Sequence, residues 1–302
     1  MEAMRPEIER YLNVCRFQKK LDGKTIKAYH IDLRQFLEYL QETSRPPSKE
    51  LLTKYIEKLN KTYKPKSVKR KIAALKAFFH YLEEEEILLE NPFHKLKVHM
   101  QQPKTLPRAV PLHLIEAMLR AVYAEIDGTK GSAHKTAVRD AAVMEILFAT
   151  GVRVSELCGL NVKDVDLMRA CVMVWGKGAK ERLLYIGNAE VLDALKRYLN
   201  LSKHSADSPL FLNRRGDRLS EQSVRTILKK YEQKANVTLH VTPHMFRHSF
   251  ATLLLEEGVD IRYIQKMLGH SSIITTQIYT DVATAKQREI LTQKHPRNHL
   301  HM

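Results

Sequence analysis

Apolar positions recur every third and fourth residue through the first hundred residues, and that period predicts amphipathic helices. Tyr29, Leu33, Phe36, Leu37 and Leu40 form one stripe. Ser48 is placed to cap the next helix, which would bury Leu51, Leu52, Tyr55, Ile56 and Leu59, and Val68, Ile72, Leu75, Phe79 and Leu82 make a further stripe. With an opening helix that starts near Pro6, the pattern gives four helices. It breaks after Asn91-Pro92, where VHMQQPKTLPRAVPLH replaces the stripe with polar residues and Pro103, Pro107 and Pro111. A helical domain over 1–98, a linker over 99–111 and a second domain over 112–302 follow as the expected organisation, and a length of 302 residues suits two domains.

The second part alternates between patterns. Ala137 to Ala149 predicts a largely buried helix stopped at Thr150-Gly151, after which the pattern is mixed. Ala170 to Trp175 and Arg182 to Ile186 are short strand candidates joined by GKGAKE, whose two glycines suit a tight hairpin. Ser220 caps another amphipathic helix, Thr242-Pro243 opens one that Gly258 closes, and Asp260 opens one that Gly269 closes. The fold class expected is mainly α with a small antiparallel sheet. No run of 18 apolar residues is present and the N-terminus is too acidic and periodic for a signal peptide, so the expectation is a cytoplasmic protein without a membrane partner.

Charge changes the picture. Fifty Lys and Arg against 34 Asp and Glu leave +16, and both parts of the chain share the excess, so the natural partner is a polyanion. Nucleic acid leads; a ribosomal or anionic-membrane role is the blander reading. Lys61, Lys64, Lys66, Lys69, Arg70, Lys71 and Lys76 lie in a stretch with no acid, on a helix whose other face is apolar, and Lys66, Lys69 and Arg70 are candidates for backbone contacts to DNA. A solvated helix face explains the same run equally well. Glu83 to Glu86 read as solvated surface. Cys15, Cys158 and Cys171 are odd in number and lack CxxC spacing, which points to a reducing compartment.

Several chemistries lose support at once, since the chain has no GxxxxGK[ST], no GxGxxG after a strand, no HExxH and no EF-hand loop. His240, His244 and His248 are spaced by four, but a helix opening at Pro243 leaves His240 outside it and puts Arg247 among the others, which disfavours a metal site. His295, His299 and His301 read as a polar terminus. His244 and Arg247, one turn apart, instead suit an anion with several oxygens such as phosphate. Taken singly, each is better explained by a salt bridge or a filled core position, and Tyr185 and Tyr263 are core candidates.

Four segments in order, ATGVRVSELCGL (149–160), WGKGAKERLLYIG (175–187), TPHMFRHSFATLLLEEG (242–258) and LGHSSIITTQIYT (268–280), resemble the tyrosine recombinase (phage integrase) family, with a Xer-like flavour. The resemblance covers nearly the whole chain. It implies a C-shaped clamp on DNA, made of a helical core-binding domain and a mixed, mostly helical catalytic domain. Arg153 and Arg247 match the two catalytic arginines, His244 and His270 the two histidine positions, Lys177 the general acid with Lys180 as its competitor, and Tyr279 the nucleophile. Glu156 matches the supporting acid, with ordinary helix-surface pairing as the alternative. Gln222, Ser223 and Arg225 occupy the place where the family often reads base edges. Neither a metal nor a cofactor is implied. The implied activity is cleavage and rejoining of duplex DNA at specific core sites, through a 3′-phosphotyrosyl intermediate and a Holliday junction. The implied assembly is a tetramer in which residues 281–302 dock on a neighbouring protomer, with a second recombinase or an accessory protein as further partners. Resolution of dimers or cointegrates and integration or excision of a mobile element stay open. Type IB topoisomerase-like relaxation and non-catalytic DNA binding are the alternatives.

Overall fold

A computed structural model describes residues 4–96, 109–176, 181–201 and 205–269. The chain divides into two compact units, Met1–Thr105 and Leu106–Met302.

The first unit holds α1 (Met4–Phe17), α2 (Gly23–Thr43), α3 (Lys49–Thr62) and α4 (Pro65–Glu84). Local chemistry sets their starts: Asp22 accepts from the Lys24 N–H, Ser48 accepts from the Leu51 N–H, and Pro65 occupies the first turn of α4, where its missing N–H costs nothing. The stripes meet in one core in which Phe36, Phe78, Phe79 and Tyr11 are almost fully buried. At about 1.5–3 kcal/mol for each large apolar side chain removed from water, this core is what holds short helices that would not persist alone.

Part of the basic stretch is spent inside the unit. Lys61 belongs to the last turn of α3 rather than to α4. Lys71 is buried, and its ammonium donates to Asp32 Oδ1 at 2.9 Å and to Gln35. Arg70 pairs with the other oxygen of the fully buried Asp32 carboxylate. Lys66, Lys69 and Lys76 face solvent. The acidic run also differs from a plain solvated surface: Glu83 is half-buried, accepts from the Asn91 N–H and pairs with His94 at 2.9 Å, which fastens the chain after α4.

The second unit is built on α6 (Gly131–Thr150), buried almost all round and packed against α5 (Leu112–Asp127), α8 (Ala189–Asn200) and α10 (Pro243–Glu256). Val110, at the end of the proline-rich stretch, already belongs to this core, and its N–H donates to Ser249 Oγ at 2.7 Å. Asp140 of α6 is held by Arg139, and Lys230 and Tyr231 of α9 (Glu221–Lys234) close the same polar cluster. After α7 (Val154–Gly159) and a single 3-10 turn, β1 (Val165–Asp166), β2 (Cys171–Trp175) and β3 (Glu181–Tyr185) form an antiparallel sheet in the order β1-β2-β3, with Val172 opposite Leu184 and Val174 opposite Arg182. α11 (Ile261–Leu268) completes the described elements. The fold is therefore mainly helical with one small sheet. Among the described residues no helix is long and apolar enough to cross a membrane.

Tyr185 and Tyr263 are corrections to the sequence reading: they are 71% and 66% exposed. Tyr185 falls on the outward phase of the β3 alternation, beside Leu183, and so points away from the core.

Candidate active site

The site starts from a backbone turn. α6 ends in Gly151, whose left-handed φ of 59° closes the helix while its N–H donates to the Leu147 carbonyl. Glycine is required there twice over: a Cβ would need the strained left-handed region and would sit 2.5 Å from Phe250 Cδ1. Two residues later Arg153 is the N-cap of α7, and Glu156, at the third helical position, accepts its backbone N–H at 2.8 Å. The G-V-R-V-S-E order thus places an arginine side chain at a helix mouth and ties its backbone with a carboxylate.

The second arginine arrives from α10. Thr242 caps that helix by accepting from the Met245 N–H and Pro243 opens it, which sets the rotation of Arg247. Arg247 is only 5% exposed, and it donates through Nη1 to the Gly151 carbonyl at 2.8 Å and through Nη2 to the Leu268 carbonyl at 2.6 Å. Arg153 donates through Nη2 to the next carbonyl, that of Gly269, at 3.2 Å. Two guanidinium groups from distant stretches therefore converge on consecutive carbonyls at the end of α11. Those carbonyls lack helical partners and lie at the negative end of the helix dipole, so cations are well placed there.

Glu156 joins a third arginine to the pair. It is 8% exposed, yet one of its oxygens accepts from Arg153 Nη1 at 2.7 Å. Arg182 of β3 grips it as a fork, Nη1 to Oε1 at 3.0 Å and Nη2 to Oε2 at 2.7 Å. Burial alone would raise the pKa of this carboxyl, but the hydrogen bonds and charges of Arg182 and Arg153 outweigh it and hold the value at about 2. Three arginines against one carboxylate leave this cluster with an excess of positive charge, and Arg153 is the partly exposed member at 34% of its side chain. Such a site is suited to an anion with several oxygens.

The other predicted residues are distributed as follows. His244 is exposed, one turn before Arg247. His248 is buried, while His240 lies before α10, exposed, with Nδ1 3.5 Å from Glu232. Among the described residues no group of three His, Cys, Asp or Glu is arranged to hold a metal ion. On α9, Gln222 and Arg225 are exposed near the helix start; Arg225 pairs with Glu221, and Ser223 shares a hydrogen bond with the capping Ser220. Lys66, Lys69 and Arg70 belong to the first unit, apart in sequence from all of these. Lys177, Lys180, His270 and Tyr279 lie outside the described residues. Arg182 is the residue that the sequence reading passed over. Its signal was present in the strand alternation, since Arg182, Leu184 and Ile186 share the inward phase, and a charge on that phase requires a buried partner.

Comparison with known proteins decides the family. Residues 115–286 match the phage integrase family, and residues 8–86 match the N-terminal SAM-like domain of phage integrases. This chain belongs to the phage integrase family of tyrosine recombinases. A tyrosine recombinase of Agathobacter rectalis is 50% identical over the full length of both chains. The tyrosine recombinase XerD of Staphylococcus epidermidis is 37% identical over 96% of this chain and 98% of its own. Among solved structures, the XerH site-specific recombinase bound to its difH substrate in a pre-cleavage complex is 25% identical, with a TM-score of 0.72 over 93% of this chain and 83% of that one. The chain is accordingly an enzyme of site-specific recombination, and neither DNA relaxation nor a non-catalytic role is favoured.

Proposed function

We propose that the chain cuts and rejoins double-stranded DNA at specific sites, with Arg153, Arg247, His244 and His270 around the scissile phosphate, Lys177 as general acid and Tyr279 as nucleophile. The phenolic oxygen of Tyr279 attacks phosphorus, the bond from phosphorus to the 5′ oxygen breaks, and Lys177 supplies the proton that leaves with that oxygen. An ordinary lysine, with a pKa near about 10.4, is loaded with this proton at neutral pH. The product is a 3′-phosphotyrosyl ester and a free 5′ hydroxyl. Attack by the 5′ hydroxyl of a partner strand reverses the step on a new partner and returns the phenol. The ester keeps the energy of the broken phosphodiester, so the exchange needs no nucleotide hydrolysis.

The observation that carries the reading is the convergence of Arg153 and Arg247 on the Leu268 and Gly269 carbonyls. Two guanidinium forks at one point suit the non-bridging oxygens of a single phosphate, whose charge grows in the pentacoordinate transition state. The covalent chain runs from Gly269 straight into His270, which supports placing that histidine at the same phosphate. Glu156 belongs to the support of this cluster rather than to the chemistry. The domain of residues 112–302 would carry these steps. The domain of residues 1–98, through Lys66, Lys69 and Arg70, and the start of α9, through Gln222, Ser223 and Arg225, would grip duplex DNA. Strand exchange through a Holliday junction requires a tetramer on paired sites, with 281–302 as the docking segment and a second recombinase or accessory protein as partner, acting in the cytoplasm.

The test is covalent trapping. DNA selected by the protein from a random pool supplies a duplex, and a nick beside the scissile phosphate lets the cleaved end escape. The unaltered protein should then run as a DNA adduct in a denaturing gel, and Tyr279→Phe should abolish it. Attachment of the Phe variant would remove Tyr279 from its role.

A further inference from the structure

We infer that Arg182 is a positioning residue for strand cleavage: it neutralises Glu156, so that the Arg153 guanidinium stays directed at the phosphate, and it fixes the end of α11 against β3. This deepens the reading of Arg153, Arg247 and Tyr279 given above and rests on it.

Glu156 is a strong and nearly buried acceptor in direct contact with Arg153. Left as a pair, a carboxylate and a guanidinium adopt a fork geometry that uses two of the donors of the arginine and cancels its charge. Arg182 prevents this by occupying both oxygens of Glu156 itself, at 3.0 and 2.7 Å, while Arg153 reaches only one of them through its side chain. The remaining Nη2 of Arg153 is thereby free to turn toward Gly269, which it meets at 3.2 Å. In place of a neutral Arg153–Glu156 pair, the cluster holds a neutral Arg182–Glu156 pair and an arginine whose charge is available to an anion.

Arg182 makes a second connection. Its Nε donates to the Met267 carbonyl at 2.9 Å, and its guanidinium lies so close to the Gly269 backbone that a Cβ there would come within 3.1 Å of Nη1. Gly269, with φ of 64°, is the last residue before His270. Arg182 lies in β3 opposite Val174, two residues after Lys180 in the sequence. One side chain thus links the strand that follows the lysines, the acid beside the first arginine and the turn that leads to His270. With 13% of its side chain exposed, it is set back from solvent, as suits a part that acts through its neighbours.

The experiment uses the full chain and two nicked duplexes of the pool-selected sequence, one with a normal scissile phosphate and one with a methylphosphonate there. Replacing a non-bridging oxygen by methyl removes the charge that Arg153 serves. Arg182→Gln should slow adduct formation on the phosphate duplex about 100-fold, the scale of losing one transition-state donor, while its Kd for the duplex stays within about threefold. On the methylphosphonate the deficit should shrink to about threefold or less. Arg182→Lys keeps a charge beside Glu156 and so protects the fold, but it lacks the fork, and it should show a smaller deficit, about tenfold, again confined to the charged substrate. Glu156→Gln combined with Arg182→Gln removes the acid that captures Arg153 and should cleave at least about tenfold faster than Arg182→Gln alone. An equal slowdown on both duplexes, or a double variant no faster than the single one, overturns the inference in favour of a purely structural role. If the unaltered protein forms no adduct, or Tyr279→Phe still forms one, the underlying reading fails and this inference fails with it.

Discussion

A carboxylate with almost no exposed surface stays ionised at Glu156 because four donors from Arg153 and Arg182 replace the water it has lost. Its pKa, about 2 against an ordinary 4.5, lies lower in the folded chain than in the unfolded one. The stabilisation is therefore complete above pH 4.5 and is lost as pH falls toward 2. That difference corresponds to roughly 3 kcal/mol. Denaturant unfolding measured between pH 7 and pH 3 should show stability falling on the acid side, and Glu156→Gln should be less stable at pH 7 and lose part of that slope. An unchanged acid slope in the variant would contradict this account of Glu156. At this scale the sequence was informative about residue types more than about partners. Arg153, Glu156 and Arg247 were legible as candidates because their segments resemble a family, whereas Arg182 was hidden in a five-residue strand. Its role becomes visible only when Glu156, Met267 and Gly269 are brought around it. Lys71 makes the same point from the other side: it reads as one of a run of surface cations, and the fold uses it against Asp32.

Elements were legible where their signals are local. The four helices of the first unit, the caps at Ser48, Ser220, Thr242 and Asp260, and the stop at Gly151 follow from side chains that bond to backbone within a few residues. The short pieces between α6 and the sheet were not. α7 has six residues and β1 two, too few to show a period, and they are held by contacts such as the Glu156 bond to the Arg153 backbone and the pairing of Val165 with Val172. The turn at Gly151 concentrates this dependence, because α6 ends on it, Arg247 of α10 donates to its carbonyl, and Phe250 of α10 and Leu268 of α11 leave no room beside it for a Cβ. Gly151→Ala should cost about 2–4 kcal/mol, combining left-handed strain with the clash against Phe250, and should lower adduct formation by displacing the carbonyl that holds Arg247. Thermal unfolding of the variant measures the first effect. A stability within about 0.5 kcal/mol of the parent would mean that this turn does not hold the site together.

For the whole molecule, the +16 charge is the property most open to direct measurement. If Lys66, Lys69, Arg70 and the α9 face meet phosphates, affinity for duplex DNA should fall by about 10³-fold or more between 50 and 200 mM salt, as expected for roughly six or more phosphate contacts. Anisotropy titrations of a labelled duplex across that range measure the slope. A flat response would exclude a phosphate-dominated interface. The division of the chain into two units was marked in the sequence by the loss of helical period and by three prolines. That Val110 already packs with the second unit was not, since burial depends on what lies opposite in space.

The sequence by itself determined the helical repeat, the caps, the excess of positive charge and the motif residues that place the chain in its family. All of these are carried by near neighbours along the chain or by composition. Tertiary structure decided which charges are paired and which remain available: Lys71 is paired with Asp32 and Arg182 with Glu156, while Arg153 and Arg247 are positioned by neutral carbonyls at the end of α11 and keep their charge for an anion. The reason is that an ion pair or a donated hydrogen bond is settled by distance in space, and residues far apart in sequence are brought to that distance only by the packing of the core.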